Sequence, residues 1–285
     1  MEENILFRAG KFKYEFPRSV MVMGVINITP DSFYAGGRFP STEQAVEHAF
    51  EMVEQGAEII DIGGESTFPG AQPVDEKTEL KRVLPTIEKL AGKINVPISI
   101  DTIKPPVAKE SVAAGASIIN DVAANREDSS MWKIVSETGV GYIVNHMQGT
   151  PQTMQINPAY KDVVKEINEF FKDRIKRLKS LGVSEQQIVL DPGIGFGKTV
   201  EHNLQILKYL IQFKQWGRPI MIGVSRKTFI GKILNVNVES RLAGSLACAA
   251  WSVLNGVNII RAHDVPETMQ TIKMIESIAN CEVKN

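Results

Sequence analysis

Two groups of side chains in this chain could do chemistry together. The first is cationic: Ser225-Arg226-Lys227, and Arg261 with His263 two places on. Arginine offers a forked pair of donors and lysine a point charge, so the two suit a phosphate or diphosphate. The second is acidic or amidic: Asp101, Asn120 and Asp191. A carboxylate can accept two parallel hydrogen bonds from adjacent N–H donors, as on the amino-pyrimidinone edge of a pterin or guanine, and Asn120 adds a donor and an acceptor. Each residue alone also has a plain structural role open to it, an arginine in a rim ion pair or an Asp or Asn as a helix cap. That role is strong for one residue and weaker for the set.

The elements that must position them recur along the chain. Eight short apolar runs end in polar clusters: Asn27 to Asp31, Asp61 to Thr67, Asp101-Thr102, Asn120-Asp121, Asn145-His146, Asp191-Pro192-Gly193, Ser225 to Lys227, and Arg261 to Asp264. A helix-like stretch follows each. Strand, polar tip and helix repeated eight times predict a (β/α)8 TIM barrel, whose active site is built at the strand C-terminal ends. The runs lack strict alternation, as strands buried on both faces do. The spacing predicts helices near 42–55, 75–91, 104–114, 129–137, 158–181, 201–213, 239–254 and 265–279. Residues 5–16 alternate loosely around Gly10 and predict a small N-terminal hairpin that could plug the barrel floor. No linker divides the chain, so residues 1–285 read as one domain.

Composition narrows the function. The net charge of −1, with Lys and Arg spread out, implies no broad nucleic-acid or membrane-surface field. The uncharged stretch from Leu242 to Ile260 is split by Asn255-Gly256 and reads as a buried helix followed by a buried strand. Cys248 and Cys281 show no metal-like spacing, and no signal peptide is evident; together these predict a soluble, cytoplasmic protein with reduced thiols. The segment Pro192 to Thr199 ends like a nucleotide P-loop, but Pro192 stands where that motif needs glycine. Its glycines are expected to make tight turns close to a ligand. His48 and His202 are expected to be ordinary helix residues, and no His/Cys grouping suggests zinc.

At these motifs the chain resembles the dihydropteroate synthase family of pterin-binding barrels. The resemblance runs through Gly24 to Phe33, Asp61 to Thr67, Ser99 to Thr102, Asn120-Asp121, Asp191 to Lys198, Ser225-Arg226-Lys227 and Arg261 to Val265. It implies condensation of 6-hydroxymethyl-7,8-dihydropterin diphosphate with 4-aminobenzoate, with release of diphosphate, by a Mg²⁺-dependent homodimer. Asp191, Asp101 and Asn120 would read the pterin ring. Lys227 would touch the pterin and shape the aminobenzoate pocket with Ser225, Thr67 and Phe196. Asn27, Arg261 and His263 would hold the diphosphate, Asn27 nearest the Mg²⁺. With the diphosphate neutralised and an electron-rich ring able to support a methylene cation, departure is expected to precede attack by the amine. The resemblance thus assigns catalysis to Asp101, Lys227, Arg261 and His263.

Three positions depart from the family pattern. Ala35 replaces an Asp, Phe68 replaces an Arg, and Asn145 replaces the Met of a Met-His pair. Two other readings stand beside the synthase: a paralogue that binds pterin with weak or no synthase activity, suggested by Ala35 and Phe68, and a pterin- or folate-dependent methyltransferase domain, whose pterin-edge residues would look similar. Loss of both the carboxylate and the guanidinium leaves no unpaired charge but removes polar help in the first two loops. Restoring both, Ala35→Asp with Phe68→Arg, should raise turnover or lower the aminobenzoate KM; unchanged steady-state constants in the double variant would reject the idea.

Overall fold

The strands of the computed structural model begin with a pair that stands apart from the rest. β1 (Ile5–Ala9) and β2 (Phe12–Phe16) are antiparallel, with Ile5 opposite Phe16 and Ala9 opposite Phe12. Residues 4–29, 41–66, 72–124 and 126–282 are described. The apolar runs then form β3 (Met21–Asn27), β4 (Ile59–Gly63), β5 (Ile98–Asp101), β6 (Ile118–Asp121), β7 (Gly141–Asn145), β8 (Ile188–Asp191), β9 (Met221–Ile222) and β10 (Ile259–Ala262). They pair in parallel in the order β8-β7-β6-β5-β4-β3-β10-β9, and a parallel bridge from Leu190 to Ile220 joins the two ends. The sheet thereby closes into the expected (β/α)8 barrel.

The helices are α1 (Thr42–Glu54), α2 (Glu76–Leu90), α3 (Pro105–Ala114), α4 (Ser130–Thr138), α5 (Val163–Ser180), α6 (Val200–Lys208), α7 (Thr228–Leu234), α8 (Leu242–Leu254) and α9 (Val265–Ala279). Side-chain caps set several starts: Ser41 accepts from the Gln44 N–H, Asp75 from Thr78, and Asp162 from Lys165. The Asp162 cap moves the start of α5 to Val163, later than the spacing suggests. The stretch read as a helix over 201–213 leaves the α form after Lys208 and continues as 3₁₀ turns over Leu210–Trp216. The sequence reading passes over α7, a seven-residue helix with Gly231 in its middle that ends at Asn235 with φ +54°. Such a short helix shows too little periodicity to be read. Leu242 to Ile260 is α8 followed by the start of the buried β10, but α8 is not the buried helix expected: Ser245, Ala249 and Ser252 are buried while Trp251 and Leu254 are exposed. No described helix is long and apolar enough to cross a membrane.

Strand alternation sorts each run into two faces. Outward residues such as Val22, Ile60, Ile119, Leu190 and Ile260 pack under the helices. Inward residues Met21, Met23, Ile59, Ile118, Ile143, Val189, Met221 and Ile259 form a separate cluster inside the barrel. Phe7, Ala9 and Phe16 of the hairpin belong to that cluster, so the hairpin seals the floor as its sequence suggested. Two residues further along most strands the inward position turns polar: Asp61, Asn120, Asn145, Asp191 and Arg261. The barrel is thus greasy at the bottom and polar at the mouth.

Phe7 is fully buried in this floor. Phe7→Ala should lower unfolding free energy by ~3–5 kcal/mol, the usual loss for emptying an aromatic site. Urea melts read it; a loss below ~1 kcal/mol would show the hairpin to be a loose appendage.

Candidate active site

A buried charge network occupies the mouth. Arg261, from β10, donates from Nε to Asp61 Oδ2 at 2.6 Å and from Nη2 to Asp101 Oδ2 at 2.8 Å. Asn120 Nδ2 donates to the same Asp61 oxygen at 3.1 Å. Two strands, β4 and β5, thereby meet an arginine on a third, and β6 joins them through Asn120. Burial alone would make the guanidinium easier to deprotonate, but Asp61 and Asp101 reverse that and hold it more firmly charged than usual. Burial pushes the Asp101 carboxyl up to about 7, against the pull of Arg261 and with help from the Asp61 charge. Asp61 was not among the residues the motifs single out for a role. Its signal was its place two residues beyond the inward Ile59, on the same face of the strand.

Asp191 ends β8, with Oδ1 accepting the Gly193 N–H at 2.7 Å. Burial raises its carboxyl, opposed by that hydrogen bond and by the nearby Lys227 charge. The Lys227 Nζ lies 4.4 Å from the centre of the Phe196 ring, within cation–π range. Burial, reinforced by Arg261, brings the lysine down to about 8.

The glycine segment behaves differently from expectation. Gly193, with φ +71°, passes so near the His146 carbonyl that a Cβ would lie 1.9 Å from its oxygen, and a Cβ on Gly197 would lie 2.7 Å from Gln148 O. The close approach is to protein backbone. Only Gly195 fronts the site, against the Lys227 side chain. Lys198 is buried and donates to the Phe196 and His146 carbonyls at 2.9 and 3.2 Å, with His146 Nδ1 at 3.0 Å. It ties this loop to β7, unlike a P-loop lysine that reaches out to phosphates.

The cationic group is smaller than the sequence suggests. Arg226 grips Asp264 with two hydrogen bonds of 2.9 and 2.8 Å and donates to Val238 O and Glu239 O. Its guanidinium pins the loop after β9 to the start of α9, which is the rim ion pair that any one of these arginines could make. His263 Nδ1 meets Ser225 Oγ at 3.0 Å, and burial together with Arg261 drives the imidazole down to about 3. In the ligand-free protein it is therefore neutral, offering a hydrogen bond where a second positive charge was expected. His48 meets Glu51 on α1, and His202 completes the cap of α6, accepting from the Thr199 N–H at 3.2 Å. Both are ordinary helix residues.

Asn27, Asp101, Phe196, Ser225, Lys227, Arg261 and His263 line one cavity of about 400 Å³, while Asn120 and Asp191 line a small recess that shares Phe196, Lys227 and Arg261 with it. Nine of the ten residues proposed from sequence thus converge on one mouth. The tenth, Thr67, lies outside the described residues, as do Ala35 and Phe68. Among the described residues, no three His, Cys, Asp or Glu side chains are grouped to cage a metal.

A closed barrel with paired carboxylates, an amide and part-buried cations at one mouth is the architecture of a barrel enzyme that holds a flat, N–H-rich heterocycle beside an anion. Comparison makes the class specific: the family model described as "Pterin binding enzyme" matches residues 23–263. The dihydropteroate synthase of Escherichia coli (strain K12) is 46% identical over 256 residues, 90% of each chain. The crystal structure of the Yersinia pestis dihydropteroate synthase with a sulfonamide drug complex aligns with a TM-score of 0.93 at 40% identity, covering 97% of this chain and 100% of that one. The Xanthomonas albilineans dihydropteroate synthase with 4-aminobenzoic acid aligns at 0.89 and 36%, covering 98% and 100%. The chain belongs to the pterin-binding enzyme family, in its dihydropteroate synthase branch.

The depressed Lys227 gives a signed pH dependence. Between about 8 and its ordinary value near 10.5 the unfolded chain holds a proton that the folded one has lost, so stability rises with pH there. Below that window the charged, part-buried lysine destabilises the ligand-free fold. Lys227→Met should therefore be more stable than the parent at pH 7, with the gap narrowing towards pH 10. Urea melts at both pH values test this; a gap that does not change with pH counts against it.

Proposed function

We infer that this protein condenses 6-hydroxymethyl-7,8-dihydropterin diphosphate with 4-aminobenzoate, giving 7,8-dihydropteroate and diphosphate. The observation that carries the reading is the Asp61–Arg261–Asp101 network, set in one mouth with Asp191 and Lys227. Asp191 accepts from the amino-pyrimidinone edge of the pterin, and Asn120 and Asp101 complete ring recognition. Lys227 stands over Phe196 between the two substrates, with Ser225 on the aminobenzoate side, a role the family resemblance also gives to Thr67. Arg261 faces the diphosphate as a charge, and His263 and Asn27 add polar contacts.

The reaction needs no protein nucleophile. A leaving diphosphate gathers negative charge, and a part-buried guanidinium already oriented by two carboxylates stabilises it without reorganising. The C–O bond to diphosphate breaks, the electron-rich dihydropterin spreads the positive charge left on its methylene, and the amine then forms the C–N bond and gives up one proton to the released diphosphate or to water. A Mg²⁺ ion suits this donor set only as a guest of the substrate: Asn27 supplies one amide oxygen at the cavity wall, and the diphosphate would supply most other ligands. When bound, such an ion would add charge neutralisation at the leaving group. Exposed Trp251 and Leu254 on α8, with Met274 and Ile278 on α9, support pairing of two copies. The free thiols Cys248 and Cys281 fit a cytoplasmic location.

A coupled assay for dihydropteroate, run beside calorimetry with the pterin diphosphate, tests the reading. Turnover with release of diphosphate is expected, with Asp191→Asn lowering kcat/KM ~10–100-fold through loss of a charged hydrogen-bond acceptor. Binding of pterin diphosphate without product would point to the non-catalytic paralogue, and methyl transfer without diphosphate release to the methyltransferase.

A further inference from the structure

Asn145 ends β7 and sits beside Asp191, its register partner on β8. It is 1% exposed, and its carboxamide is only half satisfied. Nδ2 donates to Val122 O at 3.3 Å, while Oδ1 is buried with no hydrogen-bond partner. Turning the amide over would press its oxygen against the Val122 carbonyl, so that contact decides which end faces inward. The oxygen lies toward Gly193, which has no side chain to meet it: a Cβ there would be 3.3 Å away. Asn145 also lines the recess at the bottom of the site, with Asn120, Asp191, Phe196, Lys227 and Arg261.

A buried acceptor without a donor is unfavourable and calls for an explanation. Leucine would fill the same branched shape without that penalty. We propose that Asn145 is a specificity-determining residue for the pterin, its Oδ1 accepting a hydrogen bond from the exocyclic amino group. The proposal rests on the pterin reading above and adds to it a contact made by a residue at which this chain departs from its family. The order of strands around the mouth supports it. From β8 back to β5 the inward tips are Asp191, Asn145, Asn120 and Asp101, that is, acceptor, acceptor, amide and acceptor. The edge of a 7,8-dihydropterin runs in a matching sequence: a ring N–H, an amino group with two hydrogens, a bare ring nitrogen, then a second ring N–H. Asp191 takes the first N–H and one amino hydrogen, and Asn145 takes the other. Asn120 then presents its amide to the bare nitrogen, and Asp101, whose Oδ1 is likewise unpartnered, receives the last N–H.

The test is a cycle of two proteins and two probes, read by calorimetry: the parent and Asn145→Leu, against 6-hydroxymethylpterin and its N2-methyl derivative. The unmethylated probe should bind the variant about tenfold more weakly, the worth of one hydrogen bond in a buried site. With the N2-methyl probe, which lacks the second amino hydrogen, parent and variant should differ less than twofold. The ligand-free variant should melt no lower than the parent, because an orphaned acceptor has gone; a merely structural asparagine would lower the melting temperature and leave the probe preference unchanged. Asn145→Ala provides the same comparison should the leucine variant not fold. Equal affinity of parent and variant for the unmethylated probe, or a tenfold gap that persists with the methylated one, overturns the proposal while leaving the pterin reading intact. Failure of the parent to bind either probe removes both.

Discussion

The guanidinium of Arg261, shared between Asp61 and Asp101, is the contact on which the rest of the site depends. A lone arginine this deep would be driven toward neutrality, and a lone carboxylate would take up a proton. Here Asp61 and Asp101 hold the guanidinium more firmly charged than usual, and Arg261 in turn opposes the rise that burial imposes on Asp101. The geometry follows from the barrel: β10 lies beside β3, β3 beside β4 and β4 beside β5, so a long side chain from β10 can reach across the mouth to acids two and three strands away. Asn120 then fastens onto the same Asp61 oxygen and is oriented in turn.

That arrangement accounts for the strength of the site as well as its cost. Arg261, Lys227, Asp101 and Asp191 are held close together before any ligand is present, and Lys227 and Asp101 are both moved toward neutral pH by burial. Such charges are unfavourable in the ligand-free fold and become useful when a polyanion and an N–H-rich ring arrive. The neutral His263 fits the same economy, since a second buried cation against Arg261 would be repelled. Rigidity comes from the floor, where Phe7, Ala9 and Phe16 complete an apolar interior beneath the polar mouth.

The loop after β8 shows how backbone packing and site chemistry share residues. Its first glycine lets the chain pass against the His146 carbonyl, and Lys198 then ties the loop to that same carbonyl. The loop is thereby set at a height that places Phe196 under Lys227. A glycine-lysine pattern that looks like a phosphate cradle is here a clamp between β7 and β8.

Much of this was legible in the chain itself. The switch from apolar to polar along runs such as Ile59-Ile60-Asp61 and Ile259-Ile260-Arg261 marks the mouth, whereas the runs lack strict alternation and their inward face was set only by the closed sheet. The spacing of the apolar residues located most helix starts, whereas the short α7 and the 3₁₀ turns after Lys208 left no periodic trace. The partner of each polar tip could not be read, because Arg226 and Arg261 are alike in type and both follow barrel strands. Only closure of the barrel placed Asp264 against one and Asp61 with Asp101 against the other, making the first a brace and the second the charge at the centre of the site. Residue order along a strand is a local property; pairing between charges 160 or 200 residues apart is a property of the closed sheet.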